Sequence, residues 1–162
     1  MDLKEKINDM ELDLATLKQE RLSNNLVIGN LPIQNNESSS LLRKIICDTV
    51  NDDRISKNII EVYRVNNTRR STNNKKNYQN NRVIMKLSTK SEKEYAMSIK
   101  KQICQRLSTL QSNTKGKASS IYIADQLIPF FQNLLNMAML LKHRANFKYV
   151  WARDSKIYVK KK

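Results

Sequence analysis

Aromatic rings and basic side chains alternate in the last fifteen residues of the chain, 148–162. The segment reads Lys-Tyr-Val-Trp-Ala-Arg-Asp-Ser-Lys-Ile-Tyr-Val-Lys-Lys-Lys. Bases stack on flat aromatic rings, and phosphate groups pair with Lys and Arg side chains. The segment therefore carries candidates for both kinds of contact within a short stretch.

The alternation predicts a β-hairpin whose two strands are joined by Asp154 and Ser155. In this register the opposed pairs are Arg153 with Lys156, Trp151 with Tyr158, and Val150 with Val159. Side chains alternate across a strand, so one face is apolar, with Val150, Ala152, Ile157 and Val159. The other face carries the candidate nucleic-acid contacts Tyr149, Trp151, Arg153, Lys156, Tyr158 and Lys160, and Lys148 begins the first strand.

A terminal hairpin with a solvated outer face explains the same pattern, with Trp151 as a partly buried core residue. Asp-Ser is also a weaker turn signal than Asn-Gly. Both interpretations of the hairpin stay open from the sequence.

The segment from Asn66 to Asn81 is a second basic candidate, without an acidic residue. Its proposed nucleic-acid contacts are Arg69, Arg70, Lys75 and Lys76. Long loops of this kind are usually either functional or disordered. This loop could close over a phosphate backbone, or it could be a solvated low-complexity insertion.

Strand and helix patterns follow each other in the order β-α-β-β-α-β between residues 24 and 125. Strands are predicted over residues 26–31, 59–65, 82–87 and 121–123. Ser38–Ser40 supply cap candidates for the first helix, and Ser91 is predicted to cap a long second helix, with Glu94 completing a capping box. The order is typical of ferredoxin-like folds, including RNA-recognition modules (RRMs).

The third strand is predicted to turn its alternate apolar residues toward the helices: Val83, Met85 and Leu87. This leaves Arg82 and Lys86 on an open sheet face, which either Tyr63 or Arg64 joins from the second strand. The first and third strands carry no aromatic residue, unlike the usual RRM signature. Binding through charge and shape is therefore expected, with strong dependence on salt.

Residues 3–22 show the spacing of a coiled coil. The proposed oligomerisation residues, separated alternately by four and three positions, are Leu3, Ile7, Met10, Leu14 and Leu17. Self-association of the helix explains this pattern, and so does an amphipathic helix that lies on its own domain.

A third helix is predicted near Pro129, which suits a first helical position, with Asp125 as its cap. Its predicted apolar face holds Phe131, Leu134, Leu135, Ala138 and Leu141. The expected class is α+β, with a coiled-coil segment (1–23), an RRM-like domain (24–125) and a small helix-plus-hairpin domain (126–162).

The formal net charge is +15, from 30 Lys and Arg against 15 Asp and Glu. Residues 1–22 have four basic and six acidic residues, so the rest of the chain carries +17. Such a basic body indicates a polyanionic partner, most simply nucleic acid. An anionic membrane surface is the competing partner.

No catalytic constellation is recognisable, so neither enzymatic activity nor a cofactor is expected. The single histidine, His143, and the distant Cys47 and Cys104 do not have the spacing of a zinc site. The two cysteines fit reduced, buried thiols in an intracellular protein, cytoplasmic or nuclear. No apolar run is long enough to cross a bilayer.

Several segments resemble two known families in order and in residue type. They are residues 21–29, Glu61–Val65, Arg82–Leu87, Ile121–Leu127 and the closing hairpin. They are similar to the first-open-reading-frame proteins of LINE-type retrotransposons and, equally, to the baculovirus few-polyhedra (FP) protein family.

The resemblance implies coiled-coil oligomers that bind single-stranded RNA or DNA with little sequence preference. It implies a packaging or chaperone role in the retrotransposon case and a role in occlusion-body formation in the viral case. Arg64, Arg82 and the basic residues of the hairpin are the implied contacts. The alternative function is a coiled-coil adaptor between proteins, whose charge forms no specific nucleic-acid site.

Overall fold

A computed structural model describes residues 2–32, 36–65, 82–111, 119–142, 144–154 and 156–161. The described residues confirm the α+β class, with helices and strands mixed along the chain. They form two compact units, one of residues 24–124 and one of residues 1–23 with 125–162. The three-segment domain division stays a prediction.

The unit of residues 24–124 contains a four-stranded sheet and four helices among its described residues. In chain order they are β1 (Asn25–Gly29), α2 (Ser39–Val50), α3 (Asp53–Asn58), β2 (Ile59–Arg64), β3 (Val83–Leu87), α4 (Lys90–Ser98), α5 (Lys100–Ser108) and β4 (Tyr122–Asp125). A short 3-10 helix, Thr109–Gln111, follows α5.

The sheet order is β2-β3-β1-β4, with β3 antiparallel to both β1 and β2. One face of the sheet packs against the helices and forms the main core. Val83, Met85 and Leu87 belong to this core, as the alternation predicted. Helix residues complete it, among them Leu42, Ile46, Ile103 and Leu107.

Helices α2 and α4 begin directly after residues whose side chains accept hydrogen bonds from backbone N–H groups of the first turn. Ser38 caps α2 as predicted, accepting the Leu41 N–H at 3.2 Å. The prediction of one long helix capped by Ser91 is wrong, because Thr89 caps α4 and the helix ends at Ser98. The Ser98 hydroxyl donates to the Tyr95 carbonyl at 2.6 Å, a local bond that competes with the helical ladder.

An ion pair and a cation–π contact link the short helix α3 to α4. The Arg54 guanidinium donates two bonds to the Glu92 carboxylate, at 2.8 and 3.1 Å, and lies 4.1 Å from the centre of the Tyr95 ring. The bond from Arg54 lowers the pKa of Glu92. The bond from the Tyr95 hydroxyl to Asp52, 3.0 Å long, raises the pKa of Tyr95.

Gly29, at the end of β1, lies directly against the ring of Tyr122 on β4. A Cβ atom at position 29 would lie 2.0 Å from the Tyr122 Cε1 atom. The missing side chain therefore provides the space that the ring occupies.

The other unit contains two helices and a hairpin: α1 (Leu3–Glu20), α6 (Pro129–Leu141), β5 (Phe147–Arg153) and β6 (Lys156–Lys161). Pro129 occupies the first turn of α6, as predicted. The prediction that Asp125 caps this helix is wrong, because Ile128 stands at the cap and Asp125 accepts from the hairpin turn instead.

The side-chain amide of Gln19 connects α1 to the chain that leads into α6. Its Nε2 donates to the Gln126 carbonyl at 2.7 Å, and its Oε1 accepts from the Ile128 N–H at 2.8 Å. Gln19 is only 3% exposed. The amide thus pairs with a backbone donor and a backbone acceptor, as a neighbouring strand would.

The coiled-coil residues of α1 are all exposed in the single chain: Leu3, Ile7, Met10, Leu14 and Leu17. The two buried residues of this helix are Ala15 and Gln19. At about 100° per residue, these two lie on the side of the helix facing away from the coiled-coil positions. The described residues leave the coiled-coil positions exposed, so they give no support to the interpretation in which these positions lie on their own domain.

The predicted apolar face of α6 is also partly wrong. Phe131 is buried, and Leu135 and Ala138, one and two turns further on, are half-buried. Leu134 and Leu141 are exposed on another side of the helix.

We expect Gln19→Ala to lower the free energy of unfolding of this unit by about 2 kcal/mol, since a buried donor and a buried acceptor lose their partners. Trp151, the one tryptophan of the chain, allows urea unfolding of this unit to be followed by fluorescence. Gln102→Ala, at an exposed position of α5, is the matched control and should leave the Trp151 transition unchanged. Equal transitions for the two variants would contradict a structural role for the Gln19 amide.

Candidate nucleic-acid interface

The terminal hairpin has the predicted register. Arg153 pairs with Lys156, Trp151 with Tyr158 and Val150 with Val159. Tyr149 lies opposite Lys160 in the same register, and the pairing shifts only beyond it, where Phe147 lies opposite Lys161. Directly opposed residues of antiparallel strands share a face. The aromatic and basic residues therefore lie on one face, as the alternation predicted.

Trp151 and Tyr158 form a stacked pair at the centre of this face. Their ring centroids are 5.5 Å apart and the ring planes differ by 15°. Trp151 is 42% exposed and Tyr158 is 39% exposed, so both rings remain accessible. The interpretation of Trp151 as a core residue is not supported by this exposure.

Basic side chains lie on both sides of the stacked pair. Arg153 and Lys156, the pair next to the turn, are exposed, as is Lys160 on the other side. The Lys148 ammonium lies 5.5 Å from the centre of the Tyr149 ring. The hairpin face therefore consists of an aromatic pair between two positions that carry positive charge.

The apolar face of the hairpin lies against α6. Val150, Ala152 and Ile157 are half-buried there, as expected for a face that packs on the body of the unit. Val159 is exposed, so the predicted packing of this face is wrong at that position. Contact with a helix stabilises the hairpin, which would be marginal alone in water.

The turn is supported from outside the hairpin. Asp154 has a φ of 48°, in the left-handed region that two-residue hairpin turns require. Its N–H donates to the Asp125 Oδ2 at 3.2 Å. Asp125 lies 29 residues before Asp154, so local turn preferences in the sequence give no sign of this role.

The second group of predicted contacts belongs to the unit of residues 24–124. Lys86 is half-buried on β3, between Asn25 of β1 and Glu61 of β2. Arg82 precedes β3, and its carbonyl accepts from the Val65 N–H at 3.0 Å. Ile84 shares the face of Lys86 and is only 2% exposed. The prediction of an open sheet face is therefore wrong at its centre.

Arg64 lies on the opposite face from the one that the binding prediction requires. It pairs across the sheet with Val83, whose side chain belongs to the core. Its guanidinium donates to Glu37 at 2.6 and 2.9 Å and to the carbonyls of Leu31 and Pro32 at 3.0 Å. The side chains of Arg64 and Glu37 are 10% and 9% exposed. All three nitrogens of Arg64 are thus engaged within the fold, and Tyr63 takes the outward position.

The basic loop residues Arg69, Arg70, Lys75 and Lys76 lie outside the described residues. Their part in binding stays a prediction.

No protein-family model matches this chain, and a comparison with curated proteins found no match. In the described part of the chain, no helix combines the length and the apolar character needed to cross a membrane. The same residues contain no group of three or more His, Cys, Asp or Glu side chains that could hold a metal ion.

We expect Arg64→Met to act on stability, lowering the free energy of unfolding by about 3 kcal/mol because it leaves the Glu37 carboxylate buried and unpaired. The double variant Arg64→Met/Glu37→Gln should recover part of this loss, because no unpaired charge remains. Urea denaturation measures both, and the folded double variant can be titrated with single-stranded RNA. A stable single variant with weakened RNA binding would restore Arg64 as a contact.

Proposed function

We propose that this protein is a non-enzymatic, oligomeric binder of single-stranded nucleic acid. The observation that carries the proposal is the outer face of the hairpin, where Trp151 and Tyr158 are stacked, exposed and flanked by cations. A base can stack on such a ring pair while the adjacent phosphates pair with Arg153, Lys156 or Lys160. Every base has a π-face, so this arrangement is tolerant of sequence.

The central unit supports an RRM-like interpretation. Its strands and helices follow the order β-α-β-β-α-β, with α3 inserted before β2 and a break between α4 and α5. The burial of Ile84 and Val27 and the missing aromatic residues of β1 and β3 argue against recognition of bases by this sheet. The hairpin is therefore the principal site of the proposal, with Arg82, Lys86 and the 66–81 loop as additional positive charge.

Self-association through α1 is the second part of the proposal. A row of five exposed apolar side chains on a helix of 18 residues gains stability only when a partner covers it. Several copies would place several hairpins on one strand, which raises the overall affinity through effective concentration. The arrangement suits the packaging or annealing of a long strand.

The proposed function suits a protein of viral or retroelement type that acts inside the cell. It agrees with the resemblance to the retrotransposon first-open-reading-frame proteins and to the baculovirus FP family. The proposed roles are packaging or chaperoning of nucleic acid, or an FP-type role in occlusion-body formation.

The proposal is tested by fluorescence anisotropy with labelled single-stranded RNA, single-stranded DNA and duplex DNA over a series of salt concentrations. We expect tighter binding to the single strands, with an affinity that falls as salt rises. Equal and weak binding to all three would indicate that the charge of +15 attracts nucleic acid only nonspecifically. That result would favour the adaptor function.

We expect Trp151→Ala to weaken single-stranded RNA binding by about fivefold to 150-fold, since stacking on one ring contributes about 1–3 kcal/mol per base. The salt dependence should hardly change, because no phosphate contact is lost. Trp151→Phe retains a ring and should restore most of the affinity. Lys156→Gln should instead lower the salt slope by about 0.7. If all three variants have the same salt slope and the same affinity as the unchanged protein, the binding site lies elsewhere.

We expect Leu14→Asp to weaken self-association about tenfold or more, because it puts a charge into the row of exposed apolar residues. Leu12→Asp makes the same change of residue on the other side of α1, where Leu12 is also exposed, and should leave association intact. Sedimentation velocity measures both. An unchanged mass for Leu14→Asp, or equal losses in the two variants, would contradict a coiled-coil interface.

A further inference from the structure

Helix α6 exposes far more apolar surface than its packing explains. Its thirteen residues, Pro129–Leu141, include no charged side chain. The side with Phe131, Leu135 and Ala138 is buried or half-buried where α6 contacts the hairpin, and Gln132 is half-buried beside it. The exposed apolar side chains are Phe130, Leu134, Met137, Met139, Leu140 and Leu141. Leu140 is 78% exposed, the most of any large apolar residue described.

Most of the exposed side chains lie on one side of the helix. At about 100° per residue, five of the six lie within about 120° of its circumference, from Leu140 through Met137 to Leu134, with Asn133 among them. Met139 is separated from these five by Gln132 and Asn136. A helix that packs in one groove needs an apolar stripe of about 100°. This apolar ridge has about that width, which also suits an amphipathic helix that lies in the boundary region of a bilayer.

The charge of the residues that follow α6 determines which kind of surface this side of the protein would attract. Residues 142–162 contain eight Lys or Arg and one Asp, a net charge of +7 with histidine neutral. Three of the eight, Arg153, Lys156 and Lys160, lie on the hairpin face turned away from α6. Among the described cations of this segment, Arg144, Lys148 and Lys161 are exposed. A second copy of the chain would bring the same positive charge to the interface and be repelled. An anionic surface with an apolar interior complements both features.

We propose that the outer side of α6 is a peripheral membrane-binding site, which inserts into the headgroup region of a bilayer rich in anionic lipid. The apolar ridge enters the boundary between headgroups and acyl chains, and the cations after the helix pair with lipid phosphates and carboxylates. This function goes beyond the proposed binding of nucleic acid and does not depend on it.

The test is flotation of the full-length, nuclease-treated protein with phosphatidylcholine vesicles, with and without about one third phosphatidylserine. We expect binding to the anionic vesicles and little or none to the neutral ones. Leu140→Asp should weaken binding to the anionic vesicles about tenfold or more, because the leucine side chain can no longer leave water.

The matched control is Leu41→Asp, which makes the same residue and charge change at another exposed leucine. Leu41 lies in the first turn of α2, where an acidic residue is favourable for the helix. This variant should bind the vesicles nearly as the unchanged protein does. RNA anisotropy on the same samples tests the nucleic-acid proposal separately, and Leu140→Asp should leave the RNA affinity within about twofold.

Three results would overturn the membrane proposal. The first is a failure to bind anionic vesicles, and the second is an equal loss of binding in Leu140→Asp and Leu41→Asp, which would indicate attraction by charge alone. The third is a decrease of the sedimenting mass in Leu140→Asp without any vesicle effect, which would assign the ridge to contact between copies of the chain.

Discussion

The Gln19 side-chain amide fixes which side of α1 is available to other molecules. It pairs with the Gln126 carbonyl and the Ile128 N–H, two backbone groups just before α6, and it can do so only if its side of α1 turns inward. The apolar residues on the other side are then left exposed among the described residues. One polar residue near the end of a helix thus leaves the apolar row on the exposed side, which is the basis of the proposed self-association.

A second constraint acts on the hairpin. Its apolar face packs on α6, and Asp125 accepts the Asp154 N–H at the turn. These contacts hold one face inward, so the rings and the cations must lie together on the other. Stacking of Trp151 on Tyr158 holds the two rings nearly parallel before any ligand arrives. In the proposed binding of nucleic acid, less conformational entropy would then be lost than if the rings were free to rotate.

The sequence predicts the hairpin well because two independent signals agree on its register. Period-two alternation sets the faces, and the two-residue connection sets the pairing. The sequence also contained the apolar spacing of α1, although it could not show which side of the helix is buried. The long-range contact of Gln19 with residues more than a hundred positions away supplies that information.

The failures have equally specific causes. Arg64 carries a charge that suggests solvent, yet a carboxylate and two carbonyls satisfy it on the core side of β2. Asp125 has the residue type of a helix cap, but the turn at Asp154 takes its oxygen. In both cases the partner comes from a distant segment, and local preference cannot identify it. The exposed ridge of α6 was hidden for a similar reason, since a helix without charged side chains gives little sign of which side is packed.

The contact between Gly29 and Tyr122 links two positions that are far apart in the sequence and neighbours in the sheet. A ring that fills the space of an absent side chain makes the residue types at these positions interdependent. In related sequences, a larger residue at position 29 should occur together with a smaller or differently placed one at position 122. The pair therefore offers a covariation signal by which distant members of the same lineage could be recognised when overall similarity has been lost.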